Sequence, residues 1–195
     1  MNILEEKIIS DGKVLEGNVL KVDSFLNHRI DIDILKWIGE EFRRRFDGVR
    51  IDKILTLESS GIAIASMAAL NFGVPLLFAK KSQSVNVTGD KLFSEVYSFT
   101  HKCLNRISVS AEYLSKGEKI LIVDDFLSSG SALKGLIDLV DQAGAEVAGI
   151  GIAIEKGYLD GGKIIRSKGY RLESLAIVES MDSITGKITL SDSRS

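Results

Sequence analysis

Residues 31–46, DIDILKWIGEEFRRRF, bring an apolar side chain round every three or four positions: Ile34, Leu35, Ile38, Phe42 and Phe46. That period gathers them on one face of a helix, and Asp31 stands where a capping residue is wanted. KILTL, residues 53–57, is a short apolar run with β-branched residues at its centre and predicts a strand. ESSG, residues 58–61, breaks it; IAIASMAAL then predicts a helix ending near Gly73, and Pro75 opens a second apolar strand, PLLFAK. The order then repeats. KILIVDD (119–125) reads as a strand, FLSSGSA (126–132) as a turn, LKGLIDLVDQA (133–143) as a helix and EVAGIGIAI (146–154) as the next strand. Leu133, Leu136, Ile137 and Val140 share one face of that helix, and Gly144 suits its end. Two strand-turn-helix-strand units with continuously apolar strands predict an α/β fold, a mostly parallel sheet flanked by helices on both faces.

Two stretches fall outside this pattern. Residues 80–102, KKSQSVNVTGDKLFSEVYSFTHK, are polar, rich in small residues and weakly periodic; a segment of that length predicts a lid. The tail LAIVESMDSITGKITL, residues 175–190, alternates and turns at Thr185–Gly186, which predicts a hairpin in a small second layer. The length of 195 residues suits one domain, 1–195. A net charge of −2 argues against a nucleic-acid or membrane partner, which usually calls for a basic surplus. The single cysteine, Cys103, leaves no disulfide within the chain and fits a reducing compartment. With no apolar signal core at the start and no run approaching about 18 apolar residues, a cytoplasmic protein is expected.

The chemistry gathers at ILIVDDFLSSGSA, residues 120–132. In an open parallel sheet, ligands bind at the carboxyl ends of strands. Both ESSG and FLSSGSA sit at such ends, and each opens a helix. A helix start offers unpaired backbone N–H groups and a positive dipole end, and small residues let an oxyanion come close. Hydroxyls of Ser128, Ser129 and Ser131 add donors. Two cradles suggest a substrate with two separate phosphate groups. Asp124 and Asp125 repel phosphate and, both expected to be ionised at neutral pH, suit sugar hydroxyls, a divalent cation or a carbon that develops positive charge. Caps of any strand-to-helix turn use the same residue types, and ESSG alone reads as an ordinary turn. Two acids ending a buried strand do not, because burying them without a use is costly.

This motif resembles the phosphoribosyl-pyrophosphate signature of the type I phosphoribosyltransferases: an apolar strand, two acids, two variable residues and a small-residue loop. VLKVDSFLNHRIDIDIL (19–35), TLESSGIAIA (56–65), VYSFT (96–100), VDDFLSSG (123–130) and AGIGIAIEKGY (148–158) extend the resemblance to the xanthine-using bacterial branch of that family. The resemblance implies transfer of a phosphoribosyl group from 5-phospho-α-D-ribose 1-diphosphate to xanthine, with Mg²⁺ brought by the diphosphate. It places the 5′-phosphate on Ser128, Ser129, Gly130, Ser131 and Ala132. It places the ribose hydroxyls at Asp124 and Asp125, and the diphosphate at the Glu58–Gly61 turn with Ser59, Ser60 and Gly61. Purine contacts fall on Leu20, Asn27 and Lys156, with Phe126 a further candidate against the face of the base. Residues 1–30 and about 157–195 are expected to form a hood over the purine. A homodimer is implied, with no resident metal site in the protein itself. The chain departs from the family pattern at Ser128-Ser129, where Ala-Asn is common, and at Ile64, where proline is common; neither removes a needed donor.

Three other readings share some of these features. A phosphoribosyltransferase for guanine, hypoxanthine or adenine differs only in placed donors. A non-catalytic regulator of the same fold needs a DNA-binding module, and about 20 residues before the matching region are too few for one. A phospho-acceptor domain would carry its acid pair on an early strand. Arg43-Arg44-Arg45 is expected to be a solvated face, Trp37 packing, and Cys103 inert. His28 and His101 lack a partner at metal or triad spacing. One of Lys80 and Lys81 is a candidate for diphosphate.

Overall fold

A computed structural model describes residues 1–17, 19–82, 90–98 and 103–191. The chain opens with α1 (Ile3–Asp11), a short hairpin of β1 (Lys13–Leu15) and β2 (Val19–Lys21), and a π-type turn at Asp23–Asn27. Then come α2 (Ile32–Arg45), β3 (Lys53–Leu57), α3 (Gly61–Phe72) and β4 (Leu76–Ser82). An antiparallel pair follows, β5 (Lys91–Ser98) and β6 (Cys103–Ser110). The second unit is β7 (Lys119–Leu127), α4 (Ser131–Gln142) and β8 (Glu146–Lys156); α5 (Gly161–Ser167), β9 (Leu172–Met181) and β10 (Ile188–Leu190) complete the fold. The main sheet runs in the order β10-β9-β8-β7-β3-β4-β6-β5. Its five central strands, β9 to β4, are parallel, as expected.

Alternation along the central strands builds a core on each face. Leu121 and Val123 of β7 pack with α1, α2 and α3 through Leu4, Ile8, Ile38, Phe42 and Ile64. Ile120 and Ile122 of the same strand pack with α4 and α5 through Leu136, Leu139 and Ile165. Asp31 caps α2 as expected: its Oδ1 accepts from the N–H groups of Asp33 and Ile34. Glycines in AGIGIAI let α2 close on β8. A Cβ on Gly149 would overlap the Phe46 ring, and one on Gly151 would lie 2.8 Å from Phe42 Cε1. Trp37 is packing, against the same core.

Three expectations need correction. The tail hairpin does form, with Asp182 accepting from the N–H groups of Ile184 and Thr185 at the turn. It is not a second layer: β9 pairs in parallel with β8 from Ile150↔Leu172 to Lys156↔Val178, so the tail widens the main sheet. Asn2 fixes α1 beside it by donating to the Leu175 carbonyl, 2.8 Å. The segment 80–102, expected as a weakly periodic lid, holds regular strand. Its residues 91–98 form β5, paired antiparallel with β6 from Lys91↔Ser110 to Ser98↔Cys103. The partner strand makes β5, and no local periodicity announces that. Residues 80–82 belong to the end of β4, and residues 83–89 and 99–102, including His101, lie outside the described residues. Last, the arginine run is not uniformly solvated. Arg43 and Arg44 pair at the surface with Asp47 and Glu41, whereas Arg45 is largely buried and donates to the Ser174 carbonyl at 3.0 Å.

Adding one methyl group beneath α2 tests this packing. Gly149→Ala is expected to cost about 1–3 kcal/mol, the usual penalty of overfilling a dense core. Urea unfolding measures it; an unchanged midpoint would show that the Phe46 ring yields freely.

Candidate active site

Pairing between β3 and β7 runs from Lys53↔Ile120 to Leu55↔Ile122 and stops there. β7 stays paired with β8 as far as Leu127↔Glu155. A crevice therefore opens at the carboxyl ends of two neighbouring parallel strands, the usual ligand position in such sheets. Asp124 and Asp125 lie on the β7 side of it, 6% and 7% exposed. Oδ1 of Asp124 accepts from the Asp125 N–H at 3.0 Å, and Oδ1 of Asp125 accepts from the Phe126 N–H at 3.0 Å. These bonds point each carboxylate back along its own backbone.

Burial pushes the Asp124 carboxyl well above the ordinary carboxylate range, and the charge of Asp125 adds to the effect. Both effects oppose ionisation of Asp124, a cost that the expectation of two ionised acids left out. Local sequence shows two adjacent acids; it does not show how little water reaches the first.

On one side of the acids lies the loop Ser128–Ala132. Gly130 takes φ +79°, a left-handed conformation that glycine adopts without penalty. α4 begins at the next residue, and no side chain caps its first N–H groups. The loop lines a cavity of about 230 Å³ together with Leu57, Lys81, Asn105 and Phe126. On the other side, Glu58–Gly61 leads into α3, whose start also lacks a side-chain cap. Glu58 is tied to the end of β4: its Oε1 accepts from the Lys81 N–H at 2.6 Å, and its N–H donates to the Ala79 carbonyl at 3.1 Å. The Glu58–Ser59 peptide is cis. Ser59 is exposed, Ser60 half-buried and Gly61 buried. A Cβ on Gly61 would overlap Thr56 Oγ1 and lie 2.7 Å from Asp124 Oδ1. Only the bare glycine lets the turn close on the acid.

The two lysines part company. Lys81 lines the cavity with the loop Ser128–Ala132. Lys80 lies over the Phe78 ring, 5.9 Å from its centre, and lines a separate cleft of about 730 Å³ with Lys53, Leu76 and Tyr113.

Of the purine candidates, Leu20 and Phe126 fall in one hydrophobic cluster with Val178, and Val178 is the register partner of Lys156. Lys156 ends β8 half-buried, with its pKa lowered by burial, and among the described residues no carboxylate pairs with it. Asn27 is exposed at the end of the π-type turn, just after buried Phe25 and Leu26. His28 is exposed as well.

Sequence reasoning missed Gly161. A Cβ there would overlap the Ser128 carbonyl oxygen and lie 2.8 Å from the Gly130 nitrogen, so the start of α5 forms the back wall of the loop Ser128–Ala132. The adjacent glycines of LDGGK were the available signal. It also missed Thr56, whose Oγ1 is buried beside Gly61 without a hydrogen-bond partner among the described residues.

Two helix starts without side-chain caps stand on either side of a carboxylate pair, an arrangement able to receive two anionic groups. The comparison with known families agrees. Residues 21–175 match the phosphoribosyl transferase domain, and the chain belongs to that family. Its relatives include xanthine phosphoribosyltransferase 1 of Clostridium perfringens, 55% identical over 93% of this chain and 96% of that one. The xanthine phosphoribosyltransferase of Lachnoclostridium phytofermentans is 53% identical over 96% of this chain and 97% of its own. In fold, the chain is similar to the adenine phosphoribosyltransferase of Giardia lamblia, solved with 9-deazaadenine. The TM-score is 0.78 at 20% identity, over 92% of this chain and 99% of that one.

The Asp124 environment yields a stability test. A carboxyl raised by folding stabilises the native state fully only below its unfolded pKa, and that stability is lost as pH rises toward the raised value. Asp124→Asn keeps the Oδ1 acceptor and removes the penalty. It is expected to raise the thermal midpoint at pH 8, with the gain shrinking toward pH 4, and to lower turnover. Equal midpoints for variant and wild type at pH 8 would show that the buried acid carries no such cost.

Proposed function

We infer that this chain transfers a 5-phosphoribosyl group from 5-phospho-α-D-ribose 1-diphosphate to xanthine, giving xanthosine 5′-monophosphate and diphosphate. The observation that carries the reading is the pair of uncapped helix starts flanking Asp124 and Asp125 at the gap between β3 and β7. The names of relatives more than half identical supply the acceptor base.

In this reading Ser128–Ala132 take the 5′-phosphate, and the backbone of Ser59, Ser60 and Gly61 takes the diphosphate. Lys81 adds positive charge between them. A purine ring nitrogen attacks the anomeric carbon, and the bond from that carbon to the diphosphate oxygen breaks. The sugar gains oxocarbenium character on the way. Asp125 faces the ribose and stabilises that developing charge, while the site holds both reactants in line and keeps water out. Hard carboxylate oxygens fit a substrate diphosphate carried as its magnesium complex, which offsets the charge of the leaving group.

The base follows from donors. Xanthine carries a carbonyl at C2 where guanine carries an amine, so a site for xanthine must donate there. Lys156 only donates, and Asn27 can present its NH₂ group. Xanthine also loses a proton more readily than guanine, and an unpaired ammonium favours its anion. Leu20 and Phe126 cover the flat faces of the ring. The same reading includes a homodimer working in the cytoplasm. Sedimentation at working concentration tests the dimer.

Product formation with xanthine, guanine, hypoxanthine and adenine, each with the donor and Mg²⁺, tests the assignment directly. Xanthine is expected to give the highest kcat/KM. Lys156→Ala is expected to weaken purine use about tenfold or more, the scale of a lost charge-assisted hydrogen bond, with donor affinity nearly unchanged. Asn27→Asp is expected to penalise xanthine more than guanine in competition. Asp125→Asn is expected to cut turnover by about 10²; near-normal turnover in the folded variant removes Asp125 from the chemistry.

A further inference from the structure

Glu155 is buried, 4% exposed, one residue before Lys156 on β8. Its carboxylate receives both guanidinium nitrogens of Arg166, Nη1 on Oε1 and Nη2 on Oε2, each at 2.8 Å. The Ser174 hydroxyl of β9 donates to the same carboxylate. Nothing in the transfer chemistry calls for this group. Neighbouring side chains on a strand point to opposite faces, so Glu155 turns toward α5 while Lys156 turns away, and burial alone shifts the lysine. The buried acid is thus no counter-ion for Lys156.

Its connections run elsewhere. Arg166 sits in the last turn of α5, and the first residue of α5 is Gly161. Gly161 abuts the backbone of Ser128–Gly130, and the next residue, Gly162, abuts Glu155: a Cβ on Gly162 would overlap Oε1 and lie 2.6 Å from Arg166 Nη1. Two adjacent glycines therefore clamp α5 between the phosphate loop and the Glu155 carboxylate. A bidentate pair fixes angle as well as distance, and here it fixes the helix that backs the loop to the strand that ends in Lys156.

We propose that the Glu155–Arg166 pair is a positioning device: through α5 it sets the phosphate loop relative to Lys156, and so sets the anomeric carbon against the attacking ring nitrogen. The inference rests on the reading of Lys156 as a purine contact. Each subsite can bind alone with the tie broken, because neither Glu155 nor Arg166 is needed as a ligand. What suffers is alignment, and a misplacement of about 1 Å costs on the order of 10² in rate. The loss should therefore fall on kcat and spare ground-state affinity.

The test uses the full chain with Arg166→Met, Arg166→Lys and Lys156→Ala, and the Arg166→Met/Lys156→Ala double variant. Thermal midpoints, donor affinity by calorimetry and steady-state kinetics with xanthine are read for each. Arg166→Met is expected to lower kcat at least tenfold while donor affinity changes less than threefold. Arg166→Lys, which keeps a cation on Glu155, is expected to recover part of that kcat. The double variant is expected to turn over no more slowly than the worse single variant, since both act on one alignment. Should Arg166→Met fail to fold, Arg166→Lys carries the same test with an expected loss of threefold or more. Wild-type kcat in a folded Arg166 variant overturns the tie, as does a loss confined to the thermal midpoint or to donor affinity. Lys156→Ala separates the two readings. If it leaves purine use unchanged, the base assignment fails and the tie as stated fails with it. If it weakens purine use while the Arg166 variants keep full kcat, only the tie fails.

Discussion

Much of this molecule depends on the place where two parallel strands part. β3 and β7 hold register as far as Leu55↔Ile122, and then the ladder ends while β7 continues against β8. Backbone groups beyond that point can meet a ligand, and the side chains there enter a gap walled by protein. Asp124 enters that gap almost dry. Keeping a carboxyl in such a position is unfavourable for folding, and its neighbour Asp125 adds repulsion. The surrounding sheet holds the arrangement in place, with apolar cores on both faces of β7.

The two helices that flank the gap complete the site by what they leave undone. α2 and α1 begin with side-chain caps from Asp31 and Asn2. α3 and α4 begin without one. The capped helices are structural, and their first N–H groups are satisfied within the protein. α5 also lacks a side-chain cap, but its start is packed against Ser128–Gly130, whereas the starts of α3 and α4 leave donors that an anion can meet. Serine is abundant at both open starts, which adds hydroxyl groups beside the backbone N–H groups.

Close approach is the second device, and glycine makes it possible at separate levels. Gly149 and Gly151 let α2 rest on β8. Gly61 lets the Glu58–Gly61 turn rest on Asp124, and Gly161 lets α5 rest on the loop Ser128–Ala132. The first pair fixes the scaffold and the second fixes the site. The pair of buried Glu155 with Arg166 links the levels, because the strand that carries Lys156 also carries the acid that holds α5.

The parallel core, α2 with its cap, the acid pair and the loop Ser128–Ala132 were legible from the chain itself, because each is announced by neighbours in sequence: apolar period, turn residues, a strand ending in charge. The family resemblance pointed to Lys156 and Leu20 in the same way, through short stretches that match in order. Other features had no local signal. β5 exists because β6 pairs with it, and β9 joins the main sheet because β8 offers an edge. Lys80 and Lys81 look equivalent in sequence, yet the course of β4 sends one to the phosphate-loop cavity and the other to a ring on the far side. Arg45 belongs to a run of three, yet only it reaches the Ser174 carbonyl. The state of Asp124 depends on how much water the closed turn at Gly61 leaves around it. Sequence determined which local conformations and which chemical groups were available. Tertiary structure decided their partners, burial and charge, because those depend on atoms far apart in the chain that meet only once the sheet has assembled.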